Sequence, residues 1–235
     1  MFISKFPKEN EIIVSENKST NQNLQEGDGK KVKYEFSKVS IPDGDKKSYK
    51  NFSFKLPLGA SGHFSPDYKY YFFVEKESWD VQDIPKSDDE LSNLKKLKVY
   101  IGYVNLEANC MKKIEITDIP FYFNSSIEIE QFSEDSKKVL LKINSIDFAT
   151  NSEIIQWWRM DIATLTKSEK GVSTTINGDQ INSIVRMSSH LNFAIVTTLK
   201  GKYYLLDLRN GKATLITADP TKVSPYSFWL KETTN

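Results

Sequence analysis

The sequence predicts an all-β fold of about four four-stranded antiparallel sheets in tandem, and three observations predict it. Aromatic residues are 12% of the chain, with 11 Tyr and 14 Phe, a bias that suits pleated, half-buried strands better than helices. A pattern of short strand, polar turn and apolar strand returns three times. The stretches before and after those copies supply the strands of one further sheet. The 235 residues, 39% of them hydrophobic, suffice to bury one large β domain or two small ones.

The first copy is Ser61-Gly-His-Phe-Ser-Pro-Asp-Tyr-Lys-Tyr-Tyr-Phe-Phe-Val74 and the second is Ile129-Glu-Gln-Phe-Ser-Glu-Asp-Ser-Lys-Lys-Val-Leu-Leu-Lys-Ile143. The third, Ile184-Val-Arg-Met-Ser-Ser-His-Leu-Asn-Phe-Ala-Ile-Val196, keeps the strands and loses the turn residues. In Ser65-Pro66-Asp67 and Ser133-Glu134-Asp135 the side-chain oxygens can bond nearby backbone amides, and Pro66 pre-sets φ at a turn corner. The runs 70–74 and 139–143 are nearly all apolar, as strands covered on both faces are. Each copy continues to a strand that ends in Asn or Asp followed by an apolar residue: Asn105-Leu106, Asp161-Ile162 and Asp207-Leu208. Fourth strands are expected at 113–117, 172–176 and 213–217. Asn210-Gly211 is read as the clearest two-residue hairpin turn.

Phe64-Ser-Pro-Asp-x-Lys69 before an apolar strand, and Asp207-Leu-x-x-Gly-Lys212 after one, resemble the WD40-like repeat of TolB-type β-propellers. The same repeat occurs in the propeller domains of prolyl oligopeptidase relatives. The resemblance covers about residues 61–217 and departs at Met187-Ser188-Ser189-His190. It implies a β-propeller with protein–protein contacts in a cell envelope. The blades are expected at about 1–57 plus 223–231, 58–118, 124–177 and 181–218, in a single domain. Phe228-Trp229-Leu230 would join the first sheet and close the ring, as a C-terminal strand does in propellers. The alternative is part of a larger propeller, completed by another chain.

Strand direction places the second-to-third loops (17–30, 75–98 and 144–153) on one face, and long loops on a rigid scaffold are where binding resides. Within the second, Ser87-Asp-Asp-Glu90 is a capping box before Leu91, Leu94 and Leu97, with Lys95, Lys96 and Lys98 last, so a short helix is expected.

The chemistry on offer is sparse. A formal charge of +1 gives no global field for nucleic acid or an anionic membrane. The two histidines, His63 and His190, stand beside first-strand turns and read as structural. No metal or cofactor is expected, because no zinc-type spacing, HExxH, Gly-x-Ser-x-Gly or Gly-rich phosphate loop occurs. Asp67 and Asp135 are single carboxylates per turn, too few for a hard cation. Cys110 is the one cysteine, so no intrachain disulfide forms and the thiol reads as an apolar filler. The first eight residues show no apolar signal region, and no run approaches the roughly 20 apolar residues that span a bilayer. The expectation is a cytoplasmic chain, or one of the cell envelope if a leader has been removed, with no membrane insertion.

Aromatic residues are the binding candidates. Trp157 and Trp158 are adjacent in a strand and point to opposite faces, so one of them is available to an edge or groove. Trp79, Phe121 and Tyr122 fall on the elaborated face and are taken together as a binding patch, with Trp157 beside them. The function read from the sequence is a non-enzymatic binding or scaffold module for a protein partner or a surface glycan. A structural subunit of a larger assembly is the second reading. A propeller glycosidase using Glu128 or Glu130, which alternation puts on one face, is the third.

Overall fold

The computed structural model describes residues 2–3, 11–17, 31–40, 46–57, 61–77, 95–122, 124–147, 152–167 and 171–217. Among these there is no helix, and every regular element is a β-strand. The first sheet is β1 (Phe2–Ile3), β2 (Glu11–Asn17), β3 (Lys31–Ser40) and β4 (Lys46–Pro57). The second is β5 (Ser61–Phe64), β6 (Tyr70–Lys76), β7 (Val99–Asn105) and β8 (Cys110–Glu115). The third is β9 (Ser126–Phe132), β10 (Lys138–Asp147), β11 (Ser152–Asp161) and β12 (Val172–Ser173). The fourth has five strands: β13 (Thr175–Ile176), β14 (Asp179–Met187), β15 (Phe193–Thr198), β16 (Tyr203–Asp207) and β17 (Ala213–Thr217). In all four, strands adjacent in sequence are adjacent in the sheet and antiparallel. Four successive meanders of this kind are propeller-type blades.

The chain divides into two compact units, residues 1–125 with 146–152 and residues 126–145 with 153–235. The first unit holds the sheets β1–β4 and β5–β8, and the second holds most of β9–β12 and all of β13–β17.

One turn recurs three times, between β5 and β6, between β9 and β10, and between β14 and β15, the second and third strands of the fourth sheet. Ser65 Oγ donates to Asp67 Oδ1 at 2.7 Å and accepts from Tyr70 N at 3.1 Å. Ser133 Oγ does the same with Asp135 and Lys138, at 2.6 and 2.9 Å. In the third copy Ser188 Oγ accepts from Phe193 N at 3.0 Å, five residues on as before. The following corner is left-handed in each: Tyr68, Ser136 and Leu191 have φ of 58°, 57° and 55°. The departure at Met187-Ser-Ser-His190 therefore leaves the backbone turn unchanged. His63 and His190 are not equivalent, because His63 precedes its turn serine by two residues and His190 follows its own by two. His190 occupies the place of Asp67 and Asp135.

A second turn binds to the first. Leu106, Ile162 and Leu208, all buried, donate their amides to the carbonyls of Lys69, Lys137 and Asn192 at 2.8, 2.9 and 2.8 Å. The preceding Asn105, Asp161 and Asp207 cap the chain reversal by accepting backbone amides two or three residues ahead. Each sheet of the repeat thus carries two turns locked together at one end, which accounts for the recurring Asx-apolar pair.

Four expectations change. The edge beside β2 is held by β1, with Phe2↔Ser15 and Ile3↔Val14. Among the described residues the first sheet is thus already four-stranded, and residues 223–231, the expected closing strand, lie outside those described. The stretch 172–176 is two strands rather than one: β12 pairs with β11, then β13 crosses to β14. Thr174 is the pivot, donating its amide to Ile155 O at 3.2 Å and accepting from Ile181 N at 2.8 Å. The two-residue hairpin is Asn177-Gly178, whose φ values of 52° and 74° are those of a type I′ turn. At Asn210-Gly211 the reversal is longer, with Gly211 N donating to Asp207 O at 2.8 Å. Residues 78–94 lie outside those described, and 95–98, the expected helix end, are not helical.

In the first unit the core forms around Phe72, Phe73, Ile101 and Val104. In the second it joins Leu140 and Trp157 of one sheet to Ala194, Val196, Tyr204 and Leu206 of the next.

Candidate functional site

A cleft of about 880 Å³ opens within the second unit between the sheet β9–β12 and strand β14. It follows from how β14 is paired. On one side β14 runs along β15, and on the other β13 meets only its first two residues, Thr175↔Gln180 and Ile176↔Asp179. Among the described residues no strand continues along that side of 181–187, and this stretch forms one wall. The opposite wall comes from Glu130, Lys142, Asn144, Glu153, Ile155 and Trp157, with the pivot Thr174 between the two.

Both of the strands that end at this cleft carry β-bulges. In β9 the register passes from Gln131↔Leu140 to Ile129↔Leu141, so Glu130 has no cross-strand partner. In β14 Ile181↔Thr198 is followed by Ser183↔Thr197, and Ile184↔Val196 by Arg186↔Ile195, which leaves Asn182 and Val185 unpaired. A bulge re-aims the side chain of its extra residue and interrupts the ladder. All three bulge residues line the cleft. The sequence pattern concealed them, since one inserted residue in a half-exposed strand looks like ordinary irregular alternation.

The exposed lining residues are Glu130, Gln131, Glu134, Glu153, Gln180, Asn182, Ser183 and Arg186, and every one is polar. The apolar members, among them Ile155, Ile181, Ile184 and Met187, are partly covered. Three carboxylates face two cations, Lys142 and Arg186. The Glu130 carboxyl is pushed above the usual range by burial and by the like charge of Glu128, with Lys142 opposing. At the mouth, Glu134 N donates to Ser189 O at 2.9 Å and His190 Nδ1 stands 3.3 Å from Asp135 Oδ2. The β9–β10 turn is thereby fastened to the β14–β15 turn.

Of the aromatic residues expected from the sequence to bind, those described are buried. Phe121 and Tyr122 are 2% and 5% exposed. Phe121 O accepts Leu97 N at 2.8 Å and Tyr122 N donates to Ser125 Oγ at 2.9 Å, so both are packed core residues of a tight link. Trp79 lies outside the described residues. Trp157 is 4% exposed, sits in the core of the second unit and contributes to the cleft wall. Its indole Nε1 is buried without a hydrogen-bond partner among the described residues. Trp158, on the opposite face, is also buried. Its Nε1 donates to Gln156 Oε1 at 3.1 Å, and the Lys167 ammonium lies 3.9 Å above its ring. Among the described residues no three His, Cys, Asp or Glu side chains are grouped as a metal site would require. Among the same residues no helix is long and apolar enough to cross a membrane.

No protein-family model matches the sequence, and no curated protein matches it. Solved structures do show likenesses. An acylaminoacyl peptidase of Pyrococcus horikoshii matches 92% of this chain and 32% of its own, at 11% identity and a TM-score of 0.47. The β-propeller domain of the Trilobed protease from Pyrococcus furiosus, described as having an open velcro topology, matches 92% of this chain and 57% of its own, at 13% identity and 0.44. Hydrazine synthase of Kuenenia stuttgartiensis matches 77% of this chain and 50% of its own, at 9% identity and 0.42. This chain spans between a third and somewhat over half of those proteins. With TM-scores below 0.5 the likenesses add nothing to the fold, which rests on the order and register of the four sheets.

Proposed function

We propose that the chain is a non-enzymatic binding module whose binding feature is the polar cleft of the second unit. One observation carries this: a cleft of about 880 Å³ in which every exposed lining residue is a hydrogen-bonding or charged side chain. The volume falls within the range of ordinary ligand sites, while the exposed lining is more polar than the mostly apolar lining such sites usually have, which points to a ligand held by hydrogen bonds. The reading replaces the aromatic patch with the cleft and keeps the occupants expected from sequence, a protein segment or a surface glycan. The TolB-type resemblance of the repeat is consistent with such a role, although a fold fixes no function.

The test presents the full chain and its Glu130→Gln/Asn182→Ala double variant to a nonapeptide display library and to a glycan array. Binders that the double variant loses, recovered chemically intact, support the reading. Absence of any variant-sensitive binder from both collections would sink it.

A second reading has its own observation. Leu215 and Ile216 on β17 are 50% and 41% exposed, and an outer strand with apolar residues in solvent invites burial against another subunit. Light scattering that shows a concentration-dependent oligomer, abolished by Leu215→Lys, would favour a structural subunit.

A further inference from the structure

We infer that the cleft is built for a neutral, polyhydroxylated ligand, a short oligosaccharide segment, recognised through side chains rather than through backbone pairing. The inference rests on the binding reading above and narrows it to one class. Four observations lead there.

The first is the bulges. An extended peptide that enters a groove beside a strand is held chiefly by main-chain hydrogen bonds along a regular edge. The wall 181–187 carries two register breaks, at Asn182 and Val185, within seven residues. A straight partner strand cannot stay in phase with such an edge, and bulges are a recognised guard against strand addition. What the bulges present instead is side chains, Asn182 and Ser183 in succession on one wall and Glu130 on the other.

The second is the chemistry of those side chains. Gln131, Gln180, Asn182 and Ser183 are all exposed in the cleft. Amides offer a donor pair and an acceptor in one plane, and the Ser183 hydroxyl, which shares a 2.7 Å hydrogen bond with Thr197 Oγ1, keeps further acceptor capacity. A ring of vicinal hydroxyl groups has the same mixed donor and acceptor character, so each of its groups finds a partner.

The third is charge. Three carboxylates against two cations leave the lining close to neutral, with no surplus to attract a polyanion such as nucleic acid or a phosphorylated ligand. Carboxylates among amides also act as strong acceptors for ligand hydroxyl groups.

The fourth is the placement of apolar residues. Ile155, Ile181, Ile184 and Met187 are only partly exposed, and no exposed aromatic or aliphatic side chain stands ready as a pocket for a protein anchor, the feature on which protein hot spots depend.

The experiment titrates the full chain by calorimetry with three neutral hexasaccharides (maltohexaose, cellohexaose and chitohexaose) and with a heparin-derived hexasaccharide. A neutral glycan array runs beside them, together with the nonapeptide library. The expected result is saturable binding of at least one neutral glycan, unchanged between low and high salt. It should weaken about five- to tenfold for Asn182→Ala and for Gln180→Ala separately, the loss expected when one or two neutral hydrogen bonds disappear. Thermal unfolding of each variant at the wild-type midpoint shows that the fold is kept. Variant-sensitive binding of peptides alone would overturn the oligosaccharide class and leave the binding module standing. Binding of the heparin fragment alone would likewise overturn the neutral class. No variant-sensitive binder of any kind would overturn both.

Discussion

In the sheet β5–β8 the ladders run without a slip from Ser61↔Val74 to Asn105↔Cys110, whereas the sheet β13–β17 slips at three places. Both sheets carry the same serine turn and the same left-handed corner, between β5 and β6 and between β14 and β15, so the turns do not cause the difference. Burial does. In β6 and β7 nearly every residue is covered on both faces, and a one-residue slip would turn the whole apolar set over. In β14 covered and exposed residues alternate irregularly, so an extra residue costs little and frees a side chain for the cleft. Between these two sheets, unbroken register goes with the doubly covered strands and broken register with the half-exposed strand that lines the cleft.

The largest effect that bears on this contrast is expected at Gly102 in the middle of β7. A Cβ there would stand 2.6 Å from Lys112 O and 2.6 Å from Phe73 Cζ, with backbone on one side and a fully buried ring on the other. Gly102→Ala should cost about 1–3 kcal/mol as overpacking, while Asn182→Ala at the β14 bulge should stay within about 0.5 kcal/mol. Urea midpoints measure both, and equal losses would break the contrast.

Next come the turns, which the contrast holds equal. Ser133 is fully buried, donates to Asp135 and accepts from Lys138. Removal of its hydroxyl takes away two part-buried hydrogen bonds, to Asp135 and from the Lys138 amide, and should cost about 1–2 kcal/mol. Ser65→Ala and Ser188→Ala should fall in the same range by chemical denaturation. A silent Ser188→Ala would mean that the third turn is held by something else.

The smallest effect concerns pH. Burial pushes the Asp135 carboxyl up, but the Ser133 hydroxyl, the Lys137 amide and the charges of His190 and Lys137 outweigh it, so the group sits below its ordinary value. A carboxyl lower in the folded than in the unfolded state stabilises the fold above the unfolded value, near pH 4, and that contribution fades as pH falls toward the folded value. Asp135→Asn should therefore flatten the acid limb of the stability profile below about pH 4. His190→Ala, which removes one half-exposed partner, should change stability at neutral pH by about 0–1 kcal/mol.

Much of this arrangement was legible in the residues. The three serine turns, the Asx-apolar pairs and the meander order all leave a local signature, because each requires particular side-chain oxygens or an apolar run. The third turn looked degenerate because Leu191 holds a left-handed corner that its sequence does not advertise, and because His190 stands where the other copies have aspartate, with Asn192 N donating to Ser188 Oγ instead. The cleft was hidden for a different reason. It arises from single-residue slips at Glu130, Asn182 and Val185 and from the crossing at Thr174, and these depend on which strand lies opposite. Phe121 and Tyr122 misled because an aromatic pair on a link looks exposed until Leu97 and Ser125 are seen to fold over it.

The apolar cluster that joins Leu140 and Trp157 to Val196 and Leu206 has a consequence for how the second unit comes apart. Neither sheet can open without baring the inner face of the other, so the two behave as one cooperative block. Amide hydrogen exchange should report a common opening free energy for β10 and β15. In the proposed binding module, a ligand held between two sheets fused in this way would meet walls that cannot loosen singly, and yielding would be confined to the bulged rim.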